Sequence, residues 1–409
     1  RWAAAACVAA SAALWPAAAH GRRSRRRATA AREEAAQLRG HGSCGGGPGA
    51  EERPPQPHRR GLLAGAAAAL STAPRPPVSA EQLPLSAEAL ARARGKVVVI
   101  TGATAGVGLE ASRQLLSAGA DVYVTGRSLQ KAEAAAADVS KGAVAGAGRA
   151  VPMELNMASL QSVRRFASTW AKDVKRPIDI LACNAGLALG QNGKEPQYTE
   201  DGFELTVGTN HLGHFLLVDL LKDQLSPTAR IVVTASSVHD PTAGDPGSQA
   251  TLGKLAGLTP EFGKNGAVMV DGGAYDPNKA YKDSKLCNVL FTLELARRLK
   301  NQGSQVTANC LSPGLIPSAS FFRYQDQTFS NAFGWAATNI LRIAETPQFG
   351  GSTLVFMGLD PSLDGRSGLF YSAVPPGQHI FKEVTPSPEA RDEAEAAELW
   401  RRTAKIVGA

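Results

Sequence analysis

A tyrosine and a lysine four residues apart carry the chemistry that this sequence predicts most directly. Tyr281 and Lys285 lie in the segment Tyr281-Lys282-Asp283-Ser284-Lys285, and residues spaced i and i+4 share one face of a helix. A neighbouring ammonium favours the tyrosinate and lowers the tyrosine pKa, which makes the phenol a usable proton donor near neutral pH. The pair therefore predicts a site at which Tyr281 donates a proton and Lys285 tunes it.

A glycine-rich turn about 180 residues earlier predicts a dinucleotide site. Residues 101–108 read Thr-Gly-Ala-Thr-Ala-Gly-Val-Gly and follow the β-branched run 97–100. Glycines at such a turn let the backbone approach a pyrophosphate, which then faces the N-terminus of the next helix. The predicted cofactor contacts are Gly102, Thr104, Gly106, Val107 and Gly108. Together with Tyr281 and Lys285, this turn predicts a nicotinamide-dependent redox enzyme.

The end of the second predicted strand distinguishes NADPH from NADH. Enzymes that use NADH usually place an acid there for the ribose 2′-hydroxyl. This chain has Thr125-Gly126-Arg127 instead, with Lys131 one turn further on. A guanidinium can pair bidentately with a 2′-phosphate, so we predict NADPH, bound through Arg127 and Lys131. The alternative is that Arg127 is an ordinary surface charge.

Small and polar residues follow the later predicted strands. A hydroxyl from Ser236 or Ser237, after the fifth strand, is expected to hold the reacting oxygen or to orient Tyr281. The remaining candidates follow strands four and six or lie in the helix between strands four and five: Asn184, Ala185, Gly186, Asn210, Pro313, Gly314 and Ser318. His211 and His214 flank this set without a third ligand, so no metal site is predicted.

Strand-like and helix-like segments alternate from about residue 94, which predicts an α/β fold. We predict a Rossmann-like, doubly wound parallel sheet of about seven strands in a single domain. The predicted strands are 97–101, 121–125, 150–155, 178–183, 230–235, 305–311 and 368–372. The predicted helices are 109–118, 129–139, 159–174, 203–225, 279–301 and an amphipathic one at 389–406.

Composition divides the chain into three predicted regions. Residues 1–80 form a largely disordered targeting leader, 94–375 the NADPH-binding domain, and 376–409 a C-terminal extension that carries the amphipathic helix. Within the domain, residues 238–278 form a long insertion before the Tyr281 helix. Because ligands of such sheets bind at the carboxyl ends of the strands, we interpret the insertion as a cap over the substrate.

The positive charge of the chain lies in its leader. The formal net charge is +8, and residues 1–80 contain 12 arginines and four acids, whereas the rest has 32 basic and 32 acidic side chains. A neutral catalytic region gives no reason to expect nucleic acid as a partner.

The five cysteines, Cys7, Cys44, Cys183, Cys287 and Cys310, form no CxxC motif, which favours a reduced compartment.

The leader resembles a plastid address. It is rich in Arg and Ala and contains no acid before Glu33, as transit peptides are. Arg59-Arg60 before an apolar run resembles a twin-arginine signal toward the thylakoid lumen, although an Ala-rich linker is an equal alternative. We favour the stroma or the stromal thylakoid face, because a reductase needs stromal NADPH. Peripheral association with the thylakoid membrane is compatible with this location, and the oligomeric state is not predicted.

Over residues 94–375 these motifs resemble the short-chain dehydrogenase/reductase family. The resemblance implies Tyr281 as proton donor, Lys285 on the cofactor ribose, Ser236 as the hydroxyl partner and Asn210 as the fourth catalytic member. Ser237 is the alternative to Ser236, because the register at the end of the fifth strand is uncertain by one residue.

Four stretches resemble one branch of that family, the light-dependent protochlorophyllide reductases. They are residues 279–288 (Lys-Ala-Tyr-Lys-Asp-Ser-Lys-Leu-Cys-Asn), the insertion with Leu-Gly-Lys-Leu at 252–255, the Pro-Gly and Phe-Phe-Arg segments within 313–323, and residues 360–408. The resemblance implies NADPH-dependent, light-driven reduction of protochlorophyllide to chlorophyllide. Ala188 and Leu315 depart from that branch, which usually has Tyr and Cys at these positions. Ser236 and Asn156 likewise replace its Thr and Asp.

Two other functions remain as alternatives. One is a plastid carbonyl or enone reductase, or alcohol dehydrogenase, acting on another apolar substrate, and Ala188 favours it. The other is an NADPH-sensing scaffold with little turnover, against which the intact set of Tyr281, Lys285 and Ser236 argues.

Overall fold

The computed structural model describes residues 82–190, 195–243, 247–317 and 327–409. The predicted leader, residues 1–80, and the predicted cofactor contact Ser318 lie outside these described residues. No helix within the described ranges is long and apolar enough to span a lipid bilayer.

One mostly parallel sheet organises the described part of the chain. Its strands are β1 (Val97–Ile100), β2 (Asp121–Gly126), β3 (Ala150–Glu154), β4 (Ile178–Cys183), β5 (Leu225–Thr234), β6 (Thr307–Ser312), β7 (Phe370–Ala373) and β8 (Phe381–Glu383). Their spatial order is β3-β2-β1-β4-β5-β6-β7-β8, parallel except for the antiparallel pair β7–β8. The predicted Rossmann-like sheet is confirmed, with eight strands in these ranges instead of about seven. The three residues of β8 are too few to display the alternation that identifies a strand.

Helices cover both faces of the sheet. They are α1 (Ala87–Ala91), α2 (Gly106–Ser117), α3 (Leu129–Val139), α4 (Leu160–Thr169), α5 (Leu205–Val207), α6 (Gly213–Leu221), α7 (Pro277–Asn301), α8 (Gln327–Asn339), α9 (Pro347–Leu359) and α10 (Glu393–Val407). In β1, Val97 and Val99 join the core formed with α4, α6, α7 and α10. Val98 and Ile100 join the core formed with α2, α3 and α9. Burial on both faces explains why β1 is an unbroken apolar run.

The helix predicted at 203–225 is interrupted in the structure. A π-helical turn, Gly208–Leu212, separates α5 from α6, and β5 begins at Leu225, earlier than the predicted 230. A π turn inserts one residue into the helical register and often marks a functional site. Here it contains Asn210, one of the predicted catalytic residues.

Helix α9 is absent from the sequence prediction although it lies in the core. It packs against α2, and most of its residues are buried. Because nearly every side chain of Pro-Gln-Phe-Gly-Gly-Ser-Thr-Leu-Val-Phe-Met-Gly-Leu is apolar or small, no polar stripe marks a helical period. Tertiary packing, rather than an amphipathic pattern, identifies this element.

The insertion before α7 is tied to the core by its apolar side chains. Leu252, Leu255, Leu258, Phe262 and Val270 are buried in the same cluster as α7 and α10. The Arg402 guanidinium of α10 donates to the main-chain oxygen of Leu255 at 2.5 Å. This part of the insertion therefore packs on α7 and α10, and its role as a substrate cap stays a prediction.

Candidate active site

The glycine turn and the segment after β4 are in direct contact at the carboxyl edge of the sheet. Gly102 has a φ of +67°, and a Cβ there would lie 2.9 Å from Cα of Ala185. A Cβ on Gly108 would lie 2.5 Å from the oxygen of Gly102 and 2.7 Å from Nδ2 of Asn184. Only glycine fits either position, so this turn keeps a surface on which a pyrophosphate can approach the backbone. Gly106 and Val107 begin α2, whose N-terminus opens at the same place.

Thr101, the last residue before the first glycine, connects three segments. Its Oγ1 accepts hydrogen bonds from the main-chain nitrogens of Asn184 (2.8 Å) and Ala185 (2.9 Å). The same oxygen lies 2.8 Å from Nε2 of His214, whose Nδ1 lies 3.0 Å from the main-chain oxygen of Asn210. A carbonyl oxygen can only accept, so Nδ1 of His214 carries the proton and the Thr101 hydroxyl donates to Nε2. This chain of bonds links the predicted cofactor turn to the predicted catalytic Asn210.

His214 remains neutral in this chain of bonds. Burial is the main reason that its pKa is lowered, to about 4, and the charge of Lys285 acts in the same direction. His211 points elsewhere, because its Nε2 lies 3.2 Å from Oγ1 of Thr403 on α10. The two histidines therefore belong to separate packing arrangements.

Helix α7 carries Tyr281 and Lys285 on one face, as their spacing predicts. The helix begins after Asp276, whose carboxylate accepts from the nitrogens of Asn278 and Lys279. Tyr281 is half-buried and Lys285 is buried, with the Lys285 Nζ 5.6 Å from the centre of the tyrosine ring. Nζ also donates to the main-chain oxygen of Thr234 at the end of β5, at 3.0 Å. Burial lowers the pKa of Lys285 to about 8.

Asn210 is held rigidly beside this pair. Its Oδ1 accepts from the nitrogen of Leu187 (2.9 Å), and its Nδ2 donates to the oxygen of Leu187 (3.0 Å) and to Oγ of Ser284 (2.9 Å). A Cβ on Gly186 would lie 3.3 Å from Oδ1 of Asn210 and 3.6 Å from Nζ of Lys285. The structure thus brings Asn210, Lys285 and the segment 184–186 together.

The two candidate serines follow β5 directly. Oγ of Ser236 accepts from the nitrogen of Val238 at 3.4 Å and caps a short 3₁₀ turn, Ser237–His239. The nitrogen of Ser237 donates to Oγ of Ser312 at the end of β6 (3.0 Å). Both serines lie at the edge of the sheet where β5 ends at Thr234, whose oxygen accepts from Lys285 of α7. Which of the two hydroxyls is catalytic stays a prediction.

Arg127 and Lys131 follow β2, at the end of the predicted cofactor site that lies away from Tyr281 and Lys285. Both side chains are exposed. Cγ2 of Thr104 would lie 2.8 Å from a Cβ on Gly126, which places the glycine turn against the residue before Arg127. The two cations therefore stand next to the turn, where a 2′-phosphate is predicted.

Pro313 and Gly314 follow β6. In the sheet, β6 lies on the β4 side of β1, whereas β2 and Arg127 lie on the other side. Gly314 has a φ of +86°, and the main-chain oxygen of Leu315 accepts from the nitrogen of Glu345 at 2.7 Å. These residues bound the end of the site where the nicotinamide is predicted, while Ser318 lies outside the described residues.

The opposite face of α7 binds the insertion. The Lys279 ammonium contacts carboxylate oxygens of Asp283 and Asp271 (2.9 Å to Asp271), and Asp283 accepts from the nitrogen of Thr251 (3.1 Å). Burial alone would lower the pKa of Lys279, but the attraction of the two carboxylates outweighs it and the pKa is raised. Burial raises the pKa of Asp283 to about 7, against the opposing pull of Lys279. The motif therefore contains both the predicted catalytic pair and an anchor for the insertion.

Sequence reasoning missed the linking roles of Thr101 and His214. His214 follows Asn210 by four residues, so the sequence could have predicted that the two share one face of a helix. Its bond to Thr101, however, spans 113 positions and has no counterpart in local sequence.

Comparison with known proteins places this arrangement in a family. Residues 96–246 match the family model of the short chain dehydrogenases. A protochlorophyllide reductase from Daucus carota is 37% identical over 319 residues, which cover 76% of this chain and 78% of the relative. This chain belongs to the short-chain dehydrogenase/reductase family. As such it is an NADPH-dependent oxidoreductase with a Rossmann-like fold.

Other members of the family extend this likeness. Protochlorophyllide reductase A from Oryza sativa is 36% identical over 324 residues, covering 77% of this chain and 81% of the relative. The Avena sativa protochlorophyllide reductase is 35% identical and is covered over 99% of its length, against 76% of this chain. The Daucus and Oryza proteins are named chloroplastic, which supports a plastid location for this chain.

Solved structures share the fold of this chain. A Mycobacterium paratuberculosis protein, titled as uncharacterized, superposes with a TM-score of 0.56 at 30% identity, covering 77% of this chain and 94% of the other. A short chain dehydrogenase from Burkholderia cenocepacia, solved with NADP, gives a TM-score of 0.50 at 20% identity, covering 70% and 99%. The second likeness concerns the fold alone.

Proposed function

We propose that this protein reduces protochlorophyllide to chlorophyllide with NADPH in a light-dependent step of chlorophyll biosynthesis. The observation that carries the proposal is the buried Lys285 against the Tyr281 ring, at the sheet edge where the glycine turn meets residues 184–186. The identity of 35–37% to protochlorophyllide reductases across the catalytic region supports this choice of substrate.

The residues present fit the cofactor. A Cβ at Gly102 or Gly108 would collide with backbone or with Asn184, so the turn keeps open the space that a pyrophosphate needs. We assign Gly102, Thr104, Gly106, Val107 and Gly108 to the pyrophosphate side. The assignment gives Arg127 and Lys131 to the 2′-phosphate and Asn184, Ala185, Gly186, Pro313 and Gly314 to the ribose and nicotinamide side.

NADPH, when bound, supplies a hydride to one carbon of the ring double bond. Tyr281 donates a proton to the neighbouring carbon, so that hydride and proton together saturate the bond. Lys285 stabilises the resulting tyrosinate by its positive charge. Asn210 and the Ser236 hydroxyl orient these groups, and burial keeps water away from the ammonium and so strengthens its effect.

A second function, reduction of a smaller apolar carbonyl or enone, is favoured by two positions. Ala188 is buried at a position where the resembling enzymes usually carry Tyr. Leu315, after Gly314, replaces their usual Cys. Both changes remove a polar group from the side of the site where the pigment is proposed to bind.

An absorbance experiment separates the two functions. The purified protein is mixed with protochlorophyllide and NADPH in the dark and then illuminated. We expect a red-shifted product band that forms only in light, and in Tyr281→Phe a loss of product by about 10²-fold or more with NADPH binding retained. Tyr371→Phe, which removes a hydroxyl from β7, serves as the matched control and should behave as wild type. Bound NADPH without pigment binding or product would instead support the carbonyl reductase.

For the location, we propose the stroma or the stromal face of the thylakoid. The reason is the supply of NADPH on that side, and Arg59-Arg60 makes the lumen the competing destination. Import of the full chain into isolated plastids, followed by fractionation and protease treatment of the thylakoids, tests this. Protease-resistant protein inside the thylakoids would contradict the stromal assignment.

A further inference from the structure

A buried glutamate lies directly beneath the Pro313–Gly314 turn. A Cβ on Gly314 would be 2.5 Å from Cγ of Glu345 and 3.1 Å from Cβ of Ala373. The nitrogen of Glu345 also donates to the oxygen of Leu315 at 2.7 Å. The backbone of the turn therefore rests on the Glu345 side chain, which is fully buried.

The carboxylate of Glu345 is held by the connection between β7 and β8. Oε1 accepts from the nitrogen of Gly377 (2.8 Å), and Oε2 is paired with Nδ1 of His379. The backbone at Gly377 approaches closely, since a Cβ there would lie 1.9 Å from the oxygen of Arg342. His379 has a φ of +53°, and its ring lies 5.1 Å from the ring of Phe349 in α9, tilted by 44°. The Glu345 side chain thus connects its own segment to the Pro313–Gly314 turn through Cγ and to the β7–β8 connection through its carboxylate.

Helix α9, which begins at Pro347, two residues after Glu345, contacts two parts of the proposed cofactor site. A Cβ on Gly350 would lie 2.9 Å from Cγ2 of Val107 in the glycine turn and 3.7 Å from Cβ of Pro313. The next residue, Gly351, would place a Cβ 2.8 Å from the nitrogen of Ala111 in α2. The position of α9 therefore fixes the separation between the glycine turn and the Pro313–Gly314 turn.

A buried carboxylate is a costly way to fill space. An apolar side chain of similar volume is often equal or better for stability, whereas an ionisable group needs its partners in fixed geometry. Glu345 has those partners, and each of them is directional. Such an arrangement defines a position more narrowly than apolar packing does, because a small displacement breaks bonds at once.

We propose that Glu345, held by His379, is a positioning residue that fixes the Pro313–Gly314 turn for the nicotinamide half of the cofactor. This inference rests on the proposed function, in which that turn contacts the nicotinamide. Glu345 itself touches neither cofactor nor substrate in this proposal. It acts through Gly314 and Leu315.

The experiment compares two ligands that share the adenosine half. Binding of NADPH and of adenosine 2′,5′-bisphosphate is measured by calorimetry for wild type and Glu345→Ala. We expect NADPH to bind about tenfold more weakly to the variant, because a misplaced contact is largely lost, while adenosine 2′,5′-bisphosphate binds as before. The fluorescence of bound NADPH, which reports the surroundings of the nicotinamide, should change as well. Glu345→Gln should fall between, since its amide oxygen can still accept from Gly377.

Two further variants make the result decisive. Glu383→Gln removes an exposed carboxylate on β8 and should match wild type for both ligands. His379→Asn removes the partner of Oε2, and Asn tolerates a positive φ, so this variant should fold and show the same NADPH-specific loss if Glu345→Ala does not fold. Equal weakening of both ligands, or no change in either, would overturn the positioning role. Failure of the wild type to bind either ligand would refute the cofactor assignment itself.

Discussion

Helix α7 holds two lysines whose surroundings shift their pKa values in opposite directions. Lys279 faces the insertion between two carboxylates, and its pKa is raised. Lys285 faces the sheet edge, where its neighbours in the described structure include a carbonyl oxygen and a tyrosine ring, and burial lowers its pKa to about 8. The cost of burying the Lys279 ammonium is thus offset by two carboxylates, whereas burial is the cause of the Lys285 shift and no charged group among the described residues offsets it.

The difference agrees with the proposed division of roles, in which one lysine serves stability and the other serves chemistry on the same helix. A lysine paired with carboxylates in a buried site holds segments together, and removing it strands their charges. A lysine without such partners is a cost to the fold, and its free charge is available to a neighbouring phenol. Exchanging each lysine for a neutral side chain of similar length tests this directly.

The largest effect is expected for Lys285→Met. Turnover should fall by about 10²- to 10⁴-fold, because Tyr281 loses the charge that makes it an acid–base group. At neutral pH the same variant should be more stable, since an uncompensated buried ammonium is removed. Asn288 still donates to Thr234 at 3.2 Å, so that carbonyl keeps a partner. Steady-state assays and denaturant titration measure the two quantities, and a variant that is both inactive and less stable would contradict the comparison.

Lys279→Met should act in the opposite sense. We expect a loss of about 3 kcal/mol in the free energy of unfolding at pH 8, because Asp283 and Asp271 are left without their cation. The loss should shrink toward pH 5, where the carboxyl of Asp283, already raised in pKa to about 7, becomes neutral. Lys300→Met, at the exposed end of the same helix, is the matched control and should change stability little. An equal loss at both pH values would argue against the ion pair as the cause.

Arg127 extends the comparison to a cation that lies in solvent. Its replacement by Ala should leave stability unchanged and raise the KM for NADPH by about tenfold, since a charge-assisted bond to the 2′-phosphate is lost. The KM for NADH, which lacks that phosphate, should hardly move. Arg165→Ala, on the exposed side of α4, controls for the general loss of positive charge. A parallel rise for both cofactors would show that Arg127 does not read the phosphate.

The remaining test is a pH dependence of opposite sign for stability and turnover. Lys285 has a pKa of about 8 in the folded protein, against 10.5 for a lysine side chain in water, so the folded state binds this proton less tightly than the unfolded state. The destabilisation, about 3 kcal/mol, is fully present below pH 8 and disappears as the pH rises toward 10.5. Turnover should decline as the pH rises through about 8, because the folded enzyme then loses the Lys285 ammonium. The stability of Lys285→Met should not increase with pH in this way. Thermal unfolding of the wild type and the variant, measured in parallel from pH 7 to 10, would reveal the difference.

The elements around the chemistry could be predicted from sequence because their signals are local. β1 is an unbroken β-branched run, the glycine turn follows it, and Tyr281 and Lys285 share a helical face by spacing alone. The structure brings Gly102, Asn184, Asn210 and Lys285 together because the carboxyl ends of neighbouring parallel strands meet at one edge.

The parts that sequence did not predict depend on contacts between distant segments. The Glu345–His379 pair spans 34 positions, and neither residue stands in a motif. Helix α9 has no polar stripe because α2 and the sheet bury it. The π turn at Asn210 is likewise set by packing, since nothing in Gly-Thr-Asn-His-Leu distinguishes it from an ordinary helix.

Helix α10 has a consequence for how the chain folds as it is made. Leu399 and Val407 belong to the core cluster of α6 and α7, and the Trp400 ring lies 4.8 Å from Phe215 and 5.7 Å from Phe291. A chain that emerges amino end first displays those phenylalanines well before residue 399 is available to cover them. At ordinary rates of synthesis the interval is on the order of ten seconds. During that time the apolar surface that α10 covers in the finished protein stays uncovered, so this part of the core is completed only when the last residues of α10 have been made.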